Sequence, residues 1–291
     1  MAEGKSKISK ILSLVDESFD HHNTINYHLS IQTGIDSFAY CILDSSNNKY
    51  IVLEISTFHG IHTDAVLCET LETIIKENPL FNNPFKSVNV SIVNNRSTLI
   101  PTPLFENESK EDYLQFNHTL SKDESILTDH LKNLDAKNLF AVSNCLLKTI
   151  HSLFPKHTVH HYSTILIESL ITTFKNQNNK KVVIHIQHSN FEILVLESKN
   201  LLFYNSFRHY TSEDFIYYVL FVFEQLKLNP ENTEVTLLGE IERNSAIYSI
   251  LQKYIRHIKF GERTESFLYS HKLNGISKHF YYNLFNQLLC V

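Results

Sequence analysis

Apolar residues along the chain fall into two alternating kinds of block. Short runs rich in β-branched and aromatic residues, bounded by Gly, Asn and Ser, predict strands; longer stretches with apolar positions three and four apart predict helices. His28–Thr33, Phe38–Leu43 and Tyr50–Thr57, joined by turns at Thr33-Gly34 and Ser45-Ser46-Asn47-Asn48, predict a three-strand meander. Thr63 is placed to cap a helix whose Val66, Leu67, Leu71, Ile74 and Ile75 share one face, with Pro79 just past its end. Ser87–Val93 predicts a fourth strand, and the helix before it is the crossover that a parallel neighbour requires.

The same order returns after the polar run Asn176–Lys181. Val182–Gln187, Phe191–Leu196 and Leu201–Phe207 predict a second meander, and Thr211 with Asp214 three residues on marks a helix start. The helix that follows, Phe215–Leu226, is apolar on nearly every face and is expected to be deeply buried. Glu234–Leu238 predicts a strand, Ser245–Arg256 a helix, His257–Phe260 a short strand and Ile276–Leu289 a closing helix. Residues 27–58 and 181–207 thus read as loose copies of one another. Two βββαβ units predict a two-lobed α/β protein with a cleft between the lobes, divided into 1–178 and 179–291. The first lobe carries an inserted hairpin region around 95–142.

In that insertion Pro101 and Pro103 break the chain, Ser109–His118 has helical character, and Ser125–Leu131 with Leu139–Val142 predicts a hairpin around Asn133–Lys137. Ser143 or Asn144 opens a helix carrying Leu146, Leu147, Ile150, Leu153 and Phe154. A short strand at Thr158–His161 leads to another helix, capped by Ser163, with Leu166, Ile167, Leu170, Ile171 and Phe174 on one side.

Composition narrows the function classes. A chain of 291 residues with 43% hydrophobic and 20% charged residues has the make-up of a folded globular protein. A net charge of −5 and dispersed lysines give no basic stripe, so nucleic acid is not expected as a partner. The apolar run between Lys10 and Asp16 is too short for a signal peptide, and Phe215–Phe223 falls far below the roughly 20 residues that span a bilayer. Four scattered cysteines without a Cys-x-x-Cys pair fit reduced thiols. A cytoplasmic protein that is not a membrane protein is expected. Only six glycines, with abundant Asn, Lys and Ile, suggest an AT-rich bacterial coding bias.

The duplicated βββαβα order resembles the actin-like ATPase fold, of the ribonuclease H-like class, shared by actin, sugar kinases and heat-shock ATPases. More narrowly, the run Asn26-Tyr27-His28-Leu29-Ser30-Ile31-Gln32 through Phe38, with Phe140-Ala141-Val142 and Leu153-Phe154-Pro155, is similar to an uncharacterised bacterial domain-of-unknown-function family with that fold. Pilus-assembly actin-like proteins are more distantly similar. The resemblance implies an Asp-x-Gly at the first turn of each half and a Gly-Gly after the fourth strand of the second half in members that use nucleotide. The aspartates would organise Mg²⁺ or a water, and the glycines would let backbone N–H groups approach phosphates. Here those positions read Ser30-Ile31-Gln32, His185-Ile186-Gln187 and Leu238-Gly239-Glu240, so both acids and all but one glycine are missing.

What remains for nucleotide is Thr33, Gly34, Asp36, His188 and Gly239, which would contact ATP and Mg²⁺ only if the cleft still binds them. No Walker-type or Rossmann glycine motif replaces them. Seventeen histidines include groups at 21, 22 and 28, at 59 and 62, at 157, 160 and 161, and at 185 and 188. The three-residue spacing puts His185 and His188 on opposite faces, the other groups lack a nearby Cys or acidic partner, and all read as solvated or core-edge residues, not metal ligands. No Gly-x-Ser-x-Gly elbow is present, and Cys41 and Cys145 sit in strand or helix patterns, so no catalytic residue is assigned. The sequence therefore points to a non-catalytic scaffold or regulatory binder with a protein partner. The alternative is an ATP-binding actin-like or kinase-like enzyme with non-standard phosphate contacts.

Overall fold

The computed structural model describes residues 7–188 and 190–290. The strands and helices are β1 (Lys7–Val15), β2 (Tyr27–Thr33), β3 (Ser37–Asp44), β4 (Lys49–His59), α1 (Asp64–Glu77), β5 (Ser87–Ile92), β6 (Ser97–Pro101), α2 (Lys110–Gln115), β7 (Glu124–Leu131), β8 (Ala136–Ser143), α3 (Asn144–Leu153), β9 (Thr158–His161) and α4 (Tyr162–Phe174). They continue as β10 (Lys180–Ile186), β11 (Asn190–Glu197), β12 (Asn200–Arg208), α5 (Ser212–Gln225), β13 (Glu234–Gly239), α6 (Ala246–Tyr254), β14 (His257–Phe260), β15 (Leu268–Tyr269) and α7 (Tyr282–Asn286).

The chain forms two compact units. One takes the described residues up to Ile165, with Thr264–Gly275 and those from Asn283 on; the other takes Leu166–Arg263 and Ile276–Tyr282. In the first unit the sheet runs β1-β4-β3-β2-β5-β9, with β15 added beside β4; in the second it runs β12-β11-β10-β13-β14. The meander strands are antiparallel in both, while β2–β5 and β10–β13 are parallel. The duplicated order read from the sequence is therefore the same strand order, 3-2-1-4-5, in each unit.

Local chemistry explains the helix starts. The Thr63 hydroxyl accepts from the Val66 N–H, the Ser143 hydroxyl from Leu146 and the Ser245 hydroxyl from Tyr248, each satisfying an otherwise orphaned donor. Thr211 and Asp214 form a full capping box on α5. In the first unit one sheet face packs Leu29, Ile31, Tyr40, Ile42 and Val90 against Leu67, Leu71 and Ile75 of α1 and Leu146 and Ile150 of α3. In the second, Val182, Ile184, Ile193 and Val195 pack against Phe215, Val219 and Phe223 of α5 and Leu251 of α6.

Several expectations are corrected. Ser163 lies inside α4, because the helix already begins at Tyr162. The closing helix is only α7 followed by a 3-10 turn at Gln287–Leu289; Tyr281 just before it has φ 56°, a left-handed conformation that a helix cannot include. α5 is not buried all round, since Tyr217 is 63% and Phe221 45% exposed. Strands β1, β6 and β15 lie outside the elements that the sequence pattern predicts.

Candidate functional site

The residues that would meet a nucleotide lie at three turns, and each turn is closed by the chain itself. In the first unit β2 and β3 are joined by Gly34–Asp36. The Gly34 N–H donates to the Ser37 carbonyl (3.0 Å), the Val93 N–H to the Thr33 carbonyl (2.8 Å) and the Phe58 N–H to the Asp36 carbonyl (2.7 Å). Thr33 is buried, and the Asp36 carboxylate accepts from the Ser37 hydroxyl at 3.1 Å. Ser30, where an aspartate would stand, is fully buried opposite Cys41.

In the second unit the turn after β10 is closed by the Gln187 N–H donating to the Asn190 carbonyl (2.9 Å). His188 is exposed within it, and Ser189 lies outside the described residues. His185, where the resemblance implies a second aspartate, faces Glu192 of β11, its Nδ1 2.8 Å from a carboxylate oxygen, and both side chains are buried. The Gln187 amide (3.4 Å) and the Ser206 hydroxyl (3.4 Å) turn toward the same carboxylate. Low dielectric makes such a fully partnered group rigid and costly to disturb.

Gly239 ends β13 beside Ile186, so it and His188 follow neighbouring strands. Its φ of +86° suits only glycine, and a Cβ there would sit 2.0 Å from the Ile186 carbonyl oxygen. Its N–H donates to the His279 carbonyl (2.9 Å), and the next N–H, of Glu240, donates to the Ile186 carbonyl (2.8 Å). The His279 Nε2 is 2.7 Å from the Ile241 carbonyl, and burial lowers the pKa of that imidazole. Close approach of two backbones accounts for this glycine.

A buried polar network in the first unit escaped the sequence reading. The Asp129 carboxylate on β7 meets His160 Nδ1 (3.0 Å) and accepts from the His161 N–H (2.8 Å) and the Thr164 hydroxyl (2.7 Å). Asn138 on β8 donates to the hydroxyls of Ser163 and Thr164, both at 2.9 Å. His161 Nε2 lies 3.1 Å from the Asn94 carbonyl, so it carries the proton, and Nδ1 accepts from the Ser163 hydroxyl at 2.6 Å. Burial drives the His161 pKa down to about 4, so the ring is neutral at pH 7 with both nitrogens engaged. The group ties the first turn of α4 to the inserted hairpin. Sequence spacing hid it because Asp129, Asn138 and His161 lie on three different strands.

One further cluster, Asp16, Glu17 and His271, brings acidic and imidazole atoms together in the first unit. Lys49 bonds Asp16 at 2.8 Å and Lys272 bonds Glu17 at 2.6 Å, so cations already neutralise it. Burial pushes the Asp16 carboxyl up, but Lys49, Ser18 and Ser270 outweigh that and hold it well below the usual range. No helix among the described residues is long and apolar enough to cross a membrane.

Residues 16–258 match the family model described as a protein of unknown function, DUF3822. The chain belongs to that family. None of the curated proteins matches it. Among solved structures it is similar to a protein from Bacteroides thetaiotaomicron with an actin-like ATPase fold and unknown function. That match has 26% identity and a TM-score of 0.75, covering 84% of this chain and 93% of the other. It is also similar in fold to a chain of the PilM-PilN type IV pilus biogenesis complex, with 12% identity and a TM-score of 0.66, covering 91% and 98%. The fold of the DUF3822 chain is the actin-like ATPase fold.

Proposed function

We propose that the protein is a non-catalytic member of the actin-like fold, a cytoplasmic bacterial scaffold or regulatory binder that works through a protein partner. The observation that carries this reading is the state of the phosphate turns. A phosphate site needs convergent backbone N–H groups free to donate. At Gly34, Gln187 and Gly239 each N–H is bonded to a carbonyl of the same chain. A magnesium site needs carboxylates that can reach the metal or its waters. Ser30 and His185 stand in those places, and His185 is held by Glu192. The likeness to a chain of the PilM-PilN complex supports the partner half of the reading by fold analogy alone.

The competing reading, an ATP-binding enzyme using Thr33, Gly34 and Asp36, draws on Asp36, a half-buried carboxylate at the first turn. Phosphate release from Mg-ATP by the purified protein separates the two. The scaffold reading expects release no faster than buffer. Turnover abolished by Asp36→Asn would overturn it.

A further inference from the structure

Two cysteines far apart in sequence meet where α1 and α3 pack together in the first unit. Cys68 lies on α1 and Cys145 in the first turn of α3. The helices run side by side, since Leu71 and Ile75 of α1 line one small apolar pocket with Ile150 and Leu153 of α3. Cys68 lies one turn before Leu71, and Cys145 one turn before Thr149, so both cysteines fall at the same end of this contact. There the Cys68 thiol hydrogen-bonds Cys145, and the Thr149 hydroxyl donates to the Cys68 sulfur.

Their surroundings give the two thiols different roles. Cys145 is exposed, so a solvent oxidant can reach it, whereas Cys68 is buried. Burial first, and then the bond to Cys145, push the Cys68 pKa up. That thiol stays protonated at neutral pH and does not react with a solvent oxidant by itself. The other two cysteines are placed differently: Cys41 donates to the Leu284 carbonyl (3.7 Å) and Cys290 to the Ile165 carbonyl (3.6 Å). Neither of them is exposed.

We propose that Cys68 and Cys145 form an oxidative modification site, a reversible disulfide that fastens α1 to α3 when the protein meets a hydroperoxide. The Cys145 thiolate attacks one peroxide oxygen, the O–O bond breaks, and the sulfur becomes a sulfenic acid while water or an alcohol leaves. The Cys68 sulfur then attacks the Cys145 sulfur. The S–O bond breaks, and the departing hydroxyl takes the Cys68 proton and leaves as water. The two thiols together lose two electrons and two protons, and the hydroperoxide takes both. A disulfide needs about 2.05 Å between its sulfurs, and thiols already in contact close that gap by side-chain rotation. A small dithiol reverses the step by exchange. In a reducing compartment such bridges are transient and serve as redox sensors.

Hydrogen peroxide added to the folded, fully reduced chain tests this. Intact mass is expected to fall by about 2 Da, the loss of two hydrogens, and to return on treatment with dithiothreitol. Non-reducing peptide mapping is expected to join the peptides that hold Cys68 and Cys145. In concentrated urea the preference for this pair is expected to vanish, because the contact exists only in the fold. Cys145→Ser, a change at an exposed position, is expected to keep the fold and lose the bridge. Cys68→Ala is expected to leave Cys145 as a sulfenic acid that a 1,3-dione traps, whereas the parent closes to the disulfide and gives little of that adduct. Three outcomes overturn the proposal: no loss of two hydrogens, a bridge between other cysteines, or Cys145 carried on to sulfinic acid while Cys68 stays free to alkylate after unfolding.

Discussion

His185 and Glu192 face each other across β10 and β11, imidazole to carboxylate at 2.8 Å, at the strand end where an actin-like ATPase would keep an aspartate for magnesium. A buried pair of this kind is costly to break from one side, because the survivor keeps its desolvation penalty without its partner. Glu192→Leu or His185→Leu alone is expected to cost about 3–5 kcal/mol in denaturant unfolding. The double leucine variant is expected to cost much less than the sum, since neither buried polar group is left facing an apolar side chain. Additive losses would show that the two groups do not depend on each other.

His161 gives the stability a pH signature. Its pKa falls from an ordinary 6.5 to about 4 in the folded protein, so the unfolded chain binds the extra proton first. Its contribution is complete above pH 6.5 and is lost as pH falls from 6.5 toward 4, at about 1.4 kcal/mol per pH unit. Burial lowers the pKa of His28, His209 and His279 as well, which adds loss of the same sign. Unfolding free energies measured across this window are expected to show a shallower slope in His161→Gln than in the parent. An unchanged slope would assign the acid sensitivity elsewhere.

Two glycines with positive φ separate strain from steric exclusion. Gly60 has φ +80° and open space where a Cβ would go, so Gly60→Ala is expected to cost only about 1–2 kcal/mol. Gly239 has φ +86° and the Ile186 carbonyl 2.0 Å from that position. Gly239→Ala is expected to cost about 3 kcal/mol or more, because backbone must move as well. Equal losses would remove the argument that close strand approach fixes this glycine.

Exposure on α5 divides its phenylalanines. Phe215 is fully buried among Phe191 and its neighbours, so Phe215→Ala is expected to cost about 3–5 kcal/mol. Phe221 lies on the open face, and Phe221→Ala is expected to cost below about 1.5 kcal/mol. Equilibrium denaturation of both variants checks the ordering.

The α5 result shows where the sequence stops informing. Apolar type at Tyr217 and Phe221 marks a face but not what covers it, and an uncovered aromatic stripe reads the same as a core one. Elements whose limits rest on local chemistry were legible: the Thr211–Asp214 box opens α5, and Thr158–His161 and His257–Phe260 are strands with those bounds. The duplicated meander was legible because period-two alternation and turn residues recur in order. β1 was not, because Lys7 and Lys10 interrupt the apolar run and a register shift between Lys10 and Leu12 breaks its alternation. Of the candidate site, the missing aspartates and glycines were visible in Ser30, Gln32, His185 and Gln187. Glu192 belongs to no motif, yet an acid inside the apolar run Phe191–Leu196 is the kind of residue that needs a buried partner.

The melting midpoint in the presence of Mg-ATP tests the central claim most directly. A ligand at a hundredfold its dissociation constant stabilises the native state by about 2.7 kcal/mol. For a chain of this size that raises the midpoint by several degrees. With the backbone donors at Gly34, Gln187 and Gly239 already bonded, millimolar Mg-ATP, Mg-ADP and Mg-GTP are expected to leave the midpoint within error of a magnesium-only control. A rise of several degrees with one nucleotide, absent from the magnesium control and lost in Asp36→Asn, would contradict the scaffold reading.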